Sequence, residues 1–313
     1  MKKPPIQFPN AQRGVVLLLF FLVLFMAGAS LFISYANSTV VNQQRKDNAM
    51  RALVEAREAL IAYAIMHGDY YGAAGAGPGH LPCPDTNGDG QENSPCAINA
   101  LNRLPFTITE PGGAILELSD YGNGFDENLW YAVANEARRA PVSAFNTTTV
   151  TTLSADGQAN MAAVLIAPGE ALLTQTRPSS NDANYLEAGN AGGPNYVSNN
   201  PLDPDNFNDL VLGITVEDIM VPVTARIAET IKAQLDVFHT TNGRYPDPVV
   251  DPAEFGSAVA TAPAWFAANN WDTVSQYARI DDDSATITFT GCPNISYTLD
   301  NTAGTIARTG TGC

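Results

Sequence analysis

Apolar residues are distributed unevenly along this 313-residue chain. Residues 15–33 contain no charged side chain, and nineteen such residues form a helix of about 28 Å, close to the thickness of a bilayer core. Farther along, apolar positions recur at helical spacing, with Arg57 as the polar exception: Leu53, Val54, Leu60, Ile61, Ala64 and Ile65. The pattern predicts one long helix from residue 15 to about residue 66.

The remainder of the chain shows shorter patterns of several kinds. Residues 161–167 form an apolar run that predicts a buried strand, and residues 176–208 are rich in Asn, Pro, Gly and Asp, which predicts a long surface loop. Thr215 and Asp218 have the spacing of a helix-capping box, and Asn242-Gly243 marks the end of that second helix. Alternating residues near the C-terminus predict a small antiparallel sheet: residues 286–290, 295–299 and 305–308.

The segment before the apolar run is short and basic, with Lys2, Lys3 and Arg13 as its only charges. A basic leader favours a cytoplasmic N-terminus and an exported C-terminal body. Three interpretations compete. The segment is a secretory signal peptide cleaved after a small-residue site at residues 27–29, an uncleaved signal anchor, or the leader of a prepilin.

The junction Gln12-Arg13-Gly14, directly before the apolar run, resembles that of a type IV prepilin. In that family a prepilin peptidase cuts after the glycine and methylates the new N-terminus, so the resemblance implies processing between Gly14 and Val15. It also implies that the helix serves as a membrane anchor and later packs against other pilin subunits on an inner-membrane assembly platform.

One position departs from the family pattern. Most pilins carry a glutamate as the fifth residue of the mature chain, where it pairs with the N-terminal amine of a neighbouring subunit, but this chain has Leu19. A buried amine without a partner is costly. The resemblance therefore implies a minor pilin or pseudopilin, placed at the tip of a filament or active in starting its assembly.

The segment Gly243-Arg244-Tyr245-Pro246 resembles the exit from the spine helix of many pilins, and residues 79–82 leave the first helix in a similar way. The predicted fold class is α+β, with a long N-terminal membrane helix and one or two pilin-like globular heads that contain antiparallel sheet. The predicted domains are a leader, a spine helix, a first periplasmic domain and a second pilin-like unit: residues 1–14, 15–67, 68–214 and 215–313.

Four cysteines fall into two local pairs, which predict the disulfides Cys83–Cys96 and Cys292–Cys313 in an oxidising compartment. Four free thiols in a reduced compartment are the alternative. A zinc site that begins with His80 and Cys83 is less favoured, because zinc requires four protein ligands, or three and a water, and Cys96 is the only other soft ligand nearby in the sequence. The histidines His67 and His239 are predicted at helix ends, where the helix dipole favours a positive charge.

The segment between the first two cysteines contains the beginning of a calcium loop, with the pattern D-x-N-x-D-G. Its candidate calcium ligands are oxygen-bearing side or main chains at alternate positions: Asp85, Asn87, Asp89, Gln91 and Asn93. The glutamate expected at the twelfth position is replaced by Cys96. A solvated Asp/Asn/Gly turn without metal is the alternative interpretation.

Composition narrows the possible functions. With 32 acidic and 16 basic residues the chain carries a formal charge of −16, which disfavours nucleic acid as a partner. Neither a Gly-x-Ser-x-Gly nor a His-Glu-x-x-His motif is present. The sequence predicts a non-enzymatic subunit held in the inner membrane by a single span, with its body in the periplasm. An anchored periplasmic binding protein or enzyme, or an adhesin or uptake receptor on a pilus, are the alternatives.

Overall fold

The computed structural model describes residues 12–70, 76–109, 115–117, 128–179, 181–198 and 206–313. For residues 12–17, 28–39, 68–70 and 115–117 it describes the backbone alone. The chain forms two compact units, an N-terminal unit of Met1–Asn48 and a main unit of Ala49–Cys313. The predicted boundary between residues 214 and 215 lies inside the main unit.

Helix α1 runs without interruption from Gln12 to Tyr70. Nevertheless, in the part of the chain that the structure describes, no helix combines the length and the apolar character needed to cross a bilayer. The predicted membrane-spanning helix and the predicted single-pass inner-membrane location are therefore wrong.

The α+β character of the chain is evident from its elements. Besides α1, the described residues form four further α-helices: α2 Val216–Asn242, α3 Glu254–Val259, α4 Ala264–Ala268 and α5 Trp271–Val274. They also form twelve strands: β1 Leu101–Arg103, β2 Thr107–Thr109, β3 Ile115–Glu117, β4 Trp130–Val133, β5 Leu153–Ala155, β6 Gln158–Ala167, β7 Asn195–Tyr196, β8 Leu210–Thr215, β9 Ser275–Arg279, β10 Ser284–Phe289, β11 Cys292–Asp300 and β12 Thr305–Thr309.

Strand β6 is the centre of a six-stranded sheet. It pairs antiparallel with β4 on one side, where Leu165 lies opposite Tyr131, and with β8 on the other, where Leu165 lies opposite Leu212. Strand β1 extends the sheet beyond β4, while β5 and β7 continue it beside the start of β6. Residues 161–167 are all buried, so this stretch is covered on both faces. The strand predicted there is confirmed.

Helix α2 begins and ends as its sequence predicts. The Thr215 hydroxyl accepts a hydrogen bond from the backbone N–H of Asp218, and the Asp218 carboxylate accepts one from the backbone N–H of Thr215. This reciprocal capping satisfies amide groups that a helix start otherwise leaves unpaired. At the other end Gly243 adopts a φ of 70°, a left-handed conformation that glycine reaches without strain.

A second, four-stranded antiparallel sheet has the order β12-β11-β10-β9. Every second side chain of β10 and β11 is buried: Ala285, Ile287, Phe289, Ile295, Tyr297 and Leu299. This alternation allows one face to pack while the other meets solvent, as in many antiparallel sheets. The predicted C-terminal strands are confirmed, and β9 is an additional strand.

Both predicted disulfides are present. Cys83 is joined to Cys96 with 5.6 Å between their Cα atoms, and Cys292 is joined to Cys313 with 4.0 Å. Their sequence separations of 13 and 21 residues correspond to a stabilisation of about 3 kcal/mol each in the chain-entropy description. The second bridge fastens the last residue of the chain to the start of β11.

Candidate functional site

The N-terminal unit carries a segment of exposed apolar side chains, here called the apolar segment, at residues 18–26. Its exposed fractions range from 52% at Leu22 to 79% at Phe25. The segment comprises Leu18, Leu19, Phe20, Phe21, Leu22, Val23, Leu24, Phe25 and Met26. Exposed apolar surface of this extent usually marks an interaction site. The predicted processing residues Gly14 and Val15 lie in the first turn of α1, and their side chains are outside the described residues.

The part of α1 inside the main unit behaves differently. Small and apolar residues at spacings of three and four form a buried seam with no solvent exposure: Ala49, Leu53, Ala56, Leu60 and Ala64. That spacing places them on one face of the helix. Arg57, the polar exception, makes an ion pair with Asp218 at 2.7 Å and donates a hydrogen bond from Nε to the Gly213 carbonyl at 3.3 Å. It therefore joins α1 to β8 and to the start of α2.

The five predicted calcium ligands lie together in the loop closed by Cys83–Cys96. Asp85 is almost fully buried, and its carboxylate accepts hydrogen bonds from the backbone N–H groups of Asn87, Gly88 and Gly90 at 2.7 to 3.1 Å. The Asp85 side chain thus holds the turn in shape, as an Asx turn does.

The remaining candidate ligands take part in the same hydrogen-bonded loop. The Asp89 carboxylate accepts from the Asn87 amide at 3.1 Å and from the Gln91 backbone N–H at 2.8 Å, and the Asn93 side-chain oxygen accepts from the Thr86 backbone N–H at 2.6 Å. With two carboxylates among these five residues, a bound cation would need amide and carbonyl oxygens as well. Calcium binding stays a prediction.

The rest of the loop is fixed by a buried ion pair. Glu92 accepts hydrogen bonds from the Cys83 backbone N–H at 2.7 Å and from Arg139 Nε at 2.6 Å, and a second Arg139 nitrogen contacts its other oxygen. Arg138 donates to the Cys96 carbonyl at 2.6 Å. The Glu92 carboxylate is therefore engaged with Arg139 and with the Cys83 backbone. The two arginines fasten the disulfide loop to the rest of the main unit.

The charge of His67 differs from the sequence prediction. His67 is fully buried, and burial, followed by the neighbouring His80 and Arg139, lowers its pKa to about 2. It is therefore neutral, and its predicted role as a cation at a helix end is wrong. His80 lies with its ring nitrogens 3.0 Å from the Gly77 carbonyl and 2.9 Å from the Ser143 carbonyl. Since Cys83 is in a disulfide, the zinc alternative has no support.

A buried carboxyl pair, which no sequence pattern predicts, organises the segment predicted as a surface loop. The Glu187 carboxylate accepts from the backbone N–H groups of Asn208 and Asp209 at 3.0 Å, and the Asp209 carboxylate accepts from the Glu187 backbone N–H at 3.0 Å. Burial, and then the Glu187 charge, raises the pKa of Asp209 to about 8. Tyr185 and Tyr196 of the same segment are buried as well.

Comparisons with known proteins identify no relative of this chain. No family model, no curated protein and no solved structure matches the chain. Function must therefore be argued from the chain's own residues.

Proposed function

We propose that this chain is a minor structural subunit of an extracytoplasmic filament of the type IV pilin or pseudopilin kind, and that it is not an enzyme. The observation that carries the proposal is the division of α1. One uninterrupted helix exposes the apolar segment at residues 18–26 and contributes a buried seam to the main unit from Ala49 onward. A helix of this kind fits a subunit that packs its N-terminal part against the equivalent helices of its neighbours.

Burial of the apolar segment would favour assembly. Each large apolar side chain gains about 1.5 to 3 kcal/mol when it moves from full exposure to full burial. The side chains of residues 18–26 are all more than half exposed. Several such helices packed side by side in a fibre would remove much of this surface from water, which gives the subunit a strong tendency to assemble.

Two sequence features are consistent with the same role. The Gly14-Val15 junction matches the point at which a prepilin peptidase cuts, and the two disulfides are compatible with an extracytoplasmic location. Leu19 in place of the family glutamate favours a position at the filament tip or in the initiation of assembly. The partners implied are a prepilin peptidase, other pilin or pseudopilin subunits and their assembly platform.

The test is incorporation into filaments. A variant with Leu22→Ser and Phe25→Ser should be absent from sheared filaments, because its packing surface is weakened. The melting temperature of the main unit should stay unchanged, since neither residue belongs to its core. The matched control is Val249→Ser with Val250→Ser, two exposed valines of the main unit, which should still incorporate. Normal incorporation of the first variant would refute the proposal.

A further inference from the structure

Strand β8 forms an outer edge of the six-stranded sheet. Its residues Leu210, Leu212 and Ile214 lie opposite Ala167, Leu165 and Ala163 of β6. In an antiparallel pair the backbone groups of successive residues point alternately toward and away from the neighbouring strand. The side-chain contacts to Val211 and Gly213 identify these two residues as those whose backbone groups point away from β6.

Within the described residues, these outward backbone groups are covered by side chains and are paired with no strand. The Ser198 hydroxyl accepts from the Val211 N–H at 3.3 Å and donates to the Asp156 carboxylate at 2.8 Å, and it lies 3.3 Å from the Val211 carbonyl. Arg57 donates to the Gly213 carbonyl at 3.3 Å. Both N–H···O distances at this edge, from Val211 to Ser198 and from Arg57 to Gly213, exceed the usual 2.9 to 3.0 Å. A sheet edge whose outward backbone groups have no pairing strand is a template for the addition of another strand. The covering contacts are weak enough to be exchanged for strand pairing.

A cleft of about 570 Å³ runs beside this edge, within the main unit. Its volume lies in the range of clefts that bind ligands. The cleft is lined by residues of α1, of the turn between β5 and β6, of β8 and of the start of α2: Val54, Arg57, Ala155, Asp156, Gln158, Met161, Val211, Leu212, Gly213, Thr215, Glu217 and Asp218. Apolar and polar groups thus meet next to the outward backbone groups of β8, which is the arrangement that an extended peptide requires.

The charges of the cleft select one kind of partner. Among the described residues that line it are the carboxylates of Asp156, Glu217 and Asp218 and one cation, the guanidinium of Arg57. Arg57 is already paired with Asp218, while Asp156 contacts Ser198 and Glu217 accepts from the Cys313 backbone N–H. The excess of negative charge favours a basic side chain and disfavours an acidic one.

We propose that the β8 edge binds an extended segment of a partner protein, which adds to the sheet as a further strand and places a basic side chain in this cleft. Main-chain hydrogen bonds to Val211 and Gly213 supply affinity, and the carboxylates supply the preference for a basic residue. On binding, the Ser198 hydroxyl and the Arg57 side chain release the edge, while Arg57 keeps its ion pair with Asp218. The inference does not depend on the proposed role in a filament.

The test uses the full-length chain and two blocked synthetic peptides, Thr-Val-Lys-Val-Thr-Val and the same peptide with Glu in place of Lys. The lysine peptide should bind saturably, with slower amide hydrogen exchange at Val211 and Gly213, and the glutamate peptide should bind about tenfold more weakly. The variant Asp156→Asn with Glu217→Gln should remove most of that difference. Glu229→Gln, an exposed carboxylate outside the cleft, is the matched control.

Three outcomes would overturn the inference. One is the absence of saturable binding of the lysine peptide up to about 1 mM. Another is binding that leaves exchange at Val211 and Gly213 unchanged, since the peptide would then occupy a different surface. The third is slower exchange at these two amides with rising protein concentration and no peptide, because the edge would then serve a second copy of this chain.

Discussion

Both parts of helix α1 are rich in apolar residues, but these residues are exposed in the first part and buried in the second. At residues 18–26 consecutive large apolar side chains are exposed, whereas at the buried seam smaller apolar residues recur every three or four positions and are fully covered. Apolar content alone therefore does not decide burial in this helix. The seam is buried because its spacing presents one face to the main unit, and the apolar segment has apolar side chains on every face, more than one contact could cover.

The largest expected effect is the difference in stability between alanine substitutions of one leucine in each part of α1. Leu60→Ala should lower the free energy of unfolding of the main unit by about 3 kcal/mol, because it leaves a cavity in the seam. Leu22→Ala should change it by less than about 0.5 kcal/mol, since Leu22 is 52% exposed and Ala suits a helix equally well. Urea denaturation followed by circular dichroism measures both. Equal losses would abolish the distinction between the two parts.

The next effect concerns His67, which lies at the end of α1 in the main unit. Its pKa of about 2 in the folded protein lies below the value of 6.5 expected on unfolding, so the unfolded chain binds a proton first as the pH falls. Stability is lost as the pH decreases below about 6.5, and at pH 5 this histidine alone accounts for about 2 kcal/mol.

His67→Phe should remove that share of the acid sensitivity, measured as the difference in unfolding free energy between variant and wild type across the pH range. Asp209→Asn is the control, because the contribution of Asp209 to stability should change with pH in the opposite direction. Its pKa of about 8 lies above the unfolded value of 3.8, so its contribution is lost as the pH rises toward 8. A His67→Phe variant with the same acid limb as the wild type would contradict the buried, neutral assignment.

A smaller effect is expected at Arg57, the one charged residue among the apolar positions of the second part of α1. Its ion pair with Asp218 is partly exposed, with 28% and 30% of the two side chains accessible. A double-mutant cycle of Arg57→Met and Asp218→Asn should therefore give a coupling of about 0.5 kcal/mol. A coupling near zero would mean that apolar packing alone positions α1 against β8.

The smallest effect is expected at the loop closed by Cys83–Cys96. Polar contacts hold this loop, whereas apolar packing holds the buried seam. If the loop binds calcium, a chelator should lower the melting temperature by a few degrees, and Asp89→Asn should abolish that shift. Gln43→Ala, in the N-terminal unit, is the control and should leave the shift intact. A melting temperature that chelator does not move would exclude a structural ion.

Much of the fold could be predicted because its signals are local. The cap formed by Thr215 and Asp218, the glycine at 243, the apolar run ending at Ala167 and the paired cysteines each depend on residues close in sequence. The α+β class followed from these elements. The membrane-spanning helix was also predicted from a local pattern, and that prediction was wrong. The number of apolar residues in a sequence segment does not by itself show that the segment crosses a membrane.

The remainder depends on contacts between distant residues, which no local pattern contains. Asp209 reaches Glu187 across 22 positions, and Arg57 reaches Asp218 across more than 150. The first contact converts a segment with the composition of a loop into a packed part of the main unit. The second covers a sheet edge whose existence requires knowing which strand lies beside β6.

We propose that the apolar segment packs against neighbouring subunits in a filament, after prepilin-type processing has removed the leader. The intact mass of the chain recovered from sheared filaments tests this proposal. We expect a protein that begins at Val15 and carries one additional methyl group. A chain that begins at Ser30, and so lacks the apolar segment, or one that retains Met1, would contradict it.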